Sequence, residues 1–253
     1  MYKRQGRFGG LTPMLELVLD AARVAAAQTG VGIGIIVAAN RTKHPLEART
    51  LARLAAAYAG RGVTGFGLSN DERRGRTADF APAFRIAGRA GLLSVPHGGE
   101  LTGPASVAAC LDELHADRVG HGVAAAHDVG LTDRIAADHV TLEVCPASNV
   151  ALGVAADPAA VPLRPLLRAG VPVALGADDP LLFGSRLTGQ YEIARRVHGR
   201  TDEQLAELAR MSVRGSAAPG DIRAALLVGI DRWLAADPRD PAHLTGRDQS
   251  SVR

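Results

Sequence analysis

Apolar positions along this chain follow two alternating rhythms, a helical spacing and short continuous runs, and that alternation predicts an α/β protein built on a parallel sheet. After a polar, glycine-rich opening (1–10), Thr12-Pro13 starts a helix in which Met14, Leu15, Leu17, Val18, Ala21, Ala22, Val24 and Ala25 share one spacing, and Gly30 ends it. Residues 31–39 are an apolar run, the pattern of a strand covered on both faces. The pairing then repeats, with strands at 63–68, 92–95, 118–120, 140–144 and 172–176 and helices at 45–58, 80–90, 104–114, 131–137 and 163–169. From 187 onward the pattern is helical only. Thr201-Asp202-Glu203 caps one helix, Ala218-Pro219-Gly220-Asp221 interrupts, and a last helix ends near Leu234. Residues 1–236 read as one domain, whereas 237–253 hold little to bury and predict a disordered tail.

Composition narrows the partners. The 253 residues are 47% hydrophobic and 22% charged, an ordinary globular balance with enough length for one barrel. The net charge of +3 comes from scattered arginines, with lysine only at Lys3 and Lys43 and aromatics at 4%, so a nucleic-acid partner is not expected. Cys110 and Cys145 form neither a disulfide framework nor a thiolate metal motif, and free thiols suit a reducing cytoplasm. The longest apolar run, 33–39, is far too short for a bilayer, and the opening has no signal-peptide core, so a cytoplasmic protein without a membrane partner is expected.

The chemistry sits where strands end. Ser94-Val95-Pro96-His97-Gly98-Gly99-Glu100 carries an imidazole and a carboxylate three positions apart, and Val119-Gly120-His121-Gly122 repeats the strand–glycine–imidazole pattern. Leu142-Glu143-Val144-Cys145-Pro146 is a strand with a proline stop, and Val173 to Pro180 ends in the pair Asp178-Asp179. In a parallel barrel all carboxyl strand ends open into one mouth, where these groups would converge. Neutral imidazoles and carboxylates are the equipment of a metal-assisted hydrolase: some hold the ion, others move protons. Glu143 and Cys145 read as packing or orienting groups. His115, His127, His139, His198 and His243 read as helix-surface or loop residues, and Arg73-Arg74-Gly75-Arg76 as a solvated loop.

In this order the motifs resemble the adenosine deaminase family of zinc-dependent barrel hydrolases, from Thr12 to about Leu234. The resemblance implies a TIM (β/α)8-type barrel followed by C-terminal helices, one Zn2+ per intact site, and a small purine nucleoside as substrate. It implies metal ligation by His97 and Asp178, proton donation to the purine ring by Glu100, and orientation of the attacking water by His121. It implies purine contacts from Asp179 and from Asn70, which stands where the family presents a glycine. The oligomeric state stays open.

One departure from the family pattern is large. The family draws two more zinc ligands from a His-x-His on its first strand, yet this chain has no His-x-His, and only His44 precedes His97. Six strands are predicted where a closed barrel has eight, which fits a member lacking the first two. The expectation is hydrolytic deamination of adenosine or deoxyadenosine, impaired in the chain as it stands by weak zinc binding. Two alternatives stand beside it: an aminodeoxyfutalosine deaminase of menaquinone biosynthesis, and a non-catalytic remnant.

Overall fold

The computed structural model describes residues 9–236. Six strands, β1 (Ile35–Asn40), β2 (Val63–Ser69), β3 (Leu93–Gly98), β4 (Arg118–His121), β5 (Thr141–Val144) and β6 (Val173–Leu175), form one sheet in sequence order. Every neighbouring pair is parallel. The crossover helices are α2 (Pro45–Ala57), α3 (Ala81–Arg89), α4 (Pro104–Leu114), α5 (Val129–Ala137), and the short α6 (Pro146–Ala151) and α7 (Leu163–Arg168). Helix α1 (Leu11–Thr29) precedes β1, while α8 (Pro180–Phe183), α9 (Leu187–Arg196), α10 (Asp202–Arg214) and α11 (Gly220–Ala235) follow β6. The architecture is that of an incomplete TIM-type barrel: β1 and β6 are the two ends of the sheet among the described residues.

Local chemistry explains the helix starts. The His44 imidazole accepts a hydrogen bond from the Leu46 amide at 3.2 Å and Pro45 opens α2, so the one histidine ahead of His97 is a helix cap. Asp128 caps α5 through the Leu131 amide at 3.0 Å, and Thr201 with Gln204 forms a capping box on α10. Helices α2, α3, α4, α5 and α7 each bury one face. One core gathers Val37, Ala39, Leu51, Phe66, Leu68 and Phe84 around β1 and β2; a second gathers Val119, Leu142, Val144, Leu163, Val173 and Leu208 around β4–β6. Along β1 the alternation is visible: Val37 and Ala39 are buried under helices while Ile36 and Ala38 are exposed on the opposite face.

Three boundaries differ from the sequence reading. β1 starts at Ile35 instead of 31, because the first rung is Ile35 opposite Val63 and residues 31–34 are exposed ahead of it. β3 extends through His97 and Gly98, which places the imidazole on the strand and not in the turn. Helices α6 and α8 occupy stretches with no helical spacing; each is a single turn or so opened by a proline shortly after a strand, Pro146 after β5 and Pro180 after β6. The tail expected at 237–253 lies outside the described residues.

Candidate active site

β3 and β4 pair with His97 opposite Gly120 and Gly98 opposite His121, so two imidazoles arrive side by side at the carboxyl rim. Their rings meet edge to face, 4.8 Å between centroids and 81° between planes. Gly120 is what makes room: a Cβ there would lie 2.5 Å from His97 Cδ2. A Gly120→Ala variant is therefore expected to swing the His97 ring aside and weaken metal binding by about 10–100-fold, checked by competition with a metal-sensitive dye.

Glu100 follows β3 and turns back toward this pair. Its Oε2 lies 3.5 Å from His121 Nε2, and one ligand atom each from His97, Glu100 and His121 fall within 4.8 Å of one another. The Glu100 and His121 side chains are buried, with exposures of 8% and 4%. Burial, then repulsion from Asp178 and Glu72, lifts the Glu100 carboxyl to about 7. Burial and the neighbouring His97 push His121 down to about 4, against the attraction of Asp178, and burial also lowers His97. Near neutral pH the site thus combines neutral imidazoles with a carboxyl group poised to donate or accept a proton.

Asp178 comes from beyond β6 and shares a cavity of about 370 Å³ with His97, Gly120, His121, Glu143 and Cys145. Groups from β3 and from the far end of the sheet meet there, so the sheet curls. The Ser148 hydroxyl, on α6, donates to Asp178 Oδ2. His121 (φ 65°) and Asp178 (φ 55°) both hold left-handed backbone, a local strain of about 1–3 kcal/mol each that suits a site fixed by its surroundings.

The other two sequence candidates do not line this cavity. Asp179 is the residue before α8, and Asn70 (φ 82°) turns its side chain onto the Asp71 amide at 2.9 Å, capping its own turn. Arg73 pairs with Asp71 at 2.7 Å, in keeping with a solvated loop. Glu143 is paired with Arg118 within the cavity lining. His198, expected at the surface, is 3% exposed: Gly199 in left-handed backbone turns the chain there, and Arg164 donates to the His198 carbonyl. His243 lies outside the described residues.

Two charged groups escaped the sequence reading. Arg41, just past β1, is 2% exposed and donates from Nη2 to the His97 carbonyl at 2.7 Å. Glu72, past β2, is 6% exposed and accepts from the backbone of the Glu100 turn. Both partners lie far away in sequence, and the only local signal is a charge next to a strand end.

The sequence matches the adenosine deaminase family model over residues 4–233. The chain belongs to the adenosine deaminase family. A Streptomyces coelicolor relative, named for adenosine/adenine deamination, is 67% identical over 230 residues, covering 91% of this chain and 67% of that protein. An adenine deaminase from Arthrobacter aurescens superposes with a TM-score of 0.81 at 31% identity, over 87% of this chain and 67% of that one. A zinc-bound amidohydrolase from Burkhoderia ambifaria superposes at 0.80 with 25% identity, over 89% and 65%. The chain thus spans about two thirds of the length of these relatives. Membership in the adenosine deaminase family makes it a hydrolytic enzyme of C–N bond deamination.

For a member of the adenosine deaminase family the donor set fits a divalent ion. Neutral buried imidazoles and the Asp178 carboxylate are suitable ligands, and the glycine opposite His97 leaves its ring a cradle. The cysteines do not compete for it: burial pushes both the Cys110 and Cys145 thiols up to about 12. Ellman's reagent at pH 8 is expected to find neither thiol reactive in the native chain and both in denaturant. Among the described residues no helix is long and apolar enough to cross a membrane.

Proposed function

We propose that the chain carries the proton-transfer groups and part of the metal site of a zinc-dependent deaminase acting on a 6-aminopurine, either the nucleoside adenosine or deoxyadenosine or the free base adenine. The observation behind this reading is the convergence of His97, His121 and Glu100 within 4.8 Å at adjacent strand ends, with Asp178 lining the same cavity as the two imidazoles. His97 and Asp178 would hold the ion. Bound there, zinc would acidify water toward neutrality.

The chain's own residues supply the rest. The ring carbon bearing the amino group gains an oxygen only if the adjacent ring nitrogen gains a proton. Glu100, raised to about 7, has that proton to give. His121, neutral and 3.5 Å from Glu100, can orient the attacking water and accept its proton. As the C–N bond breaks, the proton held by His121 passes to the departing amine, which leaves as ammonia, and the added hydroxyl returns its proton to Glu100 as it becomes the carbonyl, so water and amine have exchanged places. Asp179 would hydrogen-bond the purine edge, and the backbone at Asn70 would border it. The setting is cytoplasmic, and the partner is a small molecule.

A 5′-modified nucleoside has less support, because Arg73 is engaged by Asp71 and Asn70 caps its own turn. The test is loss of absorbance near the adenine maximum, run with adenosine, deoxyadenosine and adenine, alongside zinc content. Ammonia release from one of them supports the reading. A zinc-loaded protein that binds these purines and releases no ammonia makes the chain a non-catalytic relative.

A further inference from the structure

In the turn that carries Glu100, Gly98 and Gly99 are buried, Glu100 to Thr102 are half-buried, and several backbone groups have long-range partners. The His97 carbonyl accepts from Arg41, the Gly98 carbonyl from the Gly122 amide at 3.0 Å, and the Gly99 carbonyl from the Ala124 amide at 3.0 Å. On the donor side there is one acceptor. The Glu72 carboxylate takes the Glu100 amide at 3.1 Å, the Leu101 amide at 3.3 Å and the Thr102 hydroxyl at 2.7 Å. The turn has no slack elsewhere: Gly99 is in left-handed backbone (φ 69°), and a Cβ on it would lie 2.4 Å from Val107 Cγ2.

We propose that Glu72 is a positioning residue for Glu100: its carboxylate fixes the backbone from Glu100 to Thr102 and so sets the Glu100 side chain against His121. Arg41 holds the opposite end of the same turn, through the carbonyl of His97. Successive strand ends thus send an anion and a cation to the two termini of one short segment. Bonds from a carboxylate to several donors are stronger than neutral ones, and losing the acceptor would leave two half-buried amides without their partner. Displacement of the Glu100 carboxyl by about an ångström would spoil its reach to both His121 and a substrate nitrogen. Glu72 itself touches neither.

The catalytic half of this inference rests on the function proposed above; the structural half does not, and the test separates them. Amide hydrogen exchange and His121 ring resonances are measured on the full chain, together with kcat and KM. In Glu72→Gln an amide nitrogen faces donors, so exchange at Glu100 and Leu101 is expected to quicken by about tenfold or more. Amides in α5 and α10 should stay within about twofold and the His121 ring signals should shift. For the deaminating protein, kcat should fall about 30–100-fold with KM within about threefold. Glu72→Asp, which keeps the charge and shortens the reach, should recover part of that loss. Thr102→Val, the milder variant, should quicken the same two amides about threefold and serves alone if Glu72→Gln does not fold.

Unchanged exchange at Glu100 and Leu101 overturns the proposal. So does loosening spread evenly through α5 and α10, or local loosening with unaltered kcat. If the parent deaminates no 6-aminopurine, the proposed function fails, and exchange with the His121 resonances still decides the positioning.

Discussion

Replacing Glu100 by glutamine is expected to lower kcat for purine deamination by about 10²–10⁴-fold, the range for loss of a general acid. The amide is nearly isosteric, so packing beside His121 survives while the transferable proton does not. Zinc content should stay within about twofold, because Glu100 is not assigned as a ligand. The pH dependence carries the sign. With the carboxyl at about 7 in the metal-free chain, half of it is protonated there, and the acid form disappears as pH rises through that value. A carbon-13 titration of the Glu100 carboxyl in the metal-free chain should therefore show a midpoint near 7, well above an exposed glutamate. A midpoint near the ordinary value, or a glutamine variant with full kcat, would remove Glu100 from the mechanism.

Strand-end chemistry was legible in the sequence because it is local. An apolar run, a glycine and an imidazole within five residues mark both β3 and β4, and the βα alternation supplies the geometry that unites them. The doublet Asp178-Asp179 was equally visible, yet its two members part company: left-handed backbone at Asp178 sends one carboxylate to the cavity and leaves the next at the head of α8. Asn70 reads as a pocket residue from its position after β2, and its side chain, in left-handed backbone, accepts from the next amide and leaves the backbone to face a ligand. Glu72 and Arg41 were hidden for the opposite reason. Their role depends on partners 28 and 56 residues away, and beside Arg73 and Arg74 a glutamate resembles any solvated charge. Burial and long-range pairing define such residues, and neither is written in a neighbouring window.

The largest effect on metal is expected in the chain as it stands. His97 and Asp178 are the two assigned ligands, and no His-x-His exists in the sequence to add to them. His44 offers no substitute, since its Nδ1 caps α2. Catalytic zinc normally has three protein ligands, and structural four-ligand sites reach about 10–16 kcal/mol. Half that donor set would give roughly 5–8 kcal/mol, a dissociation constant of about a micromolar or weaker. The site is also open to water, for Asp178 is exposed while His121 is buried. Titration with a competing chromophoric chelator should return that weak constant, and His97→Ala should weaken it by about a further 100-fold. Millimolar imidazole, by filling the coordination positions the protein leaves free, should tighten binding and raise the deamination rate together. Zinc that survives dialysis at one per chain, with no response to imidazole, would mean that other side chains complete the site and that the assignment of only two ligands is wrong.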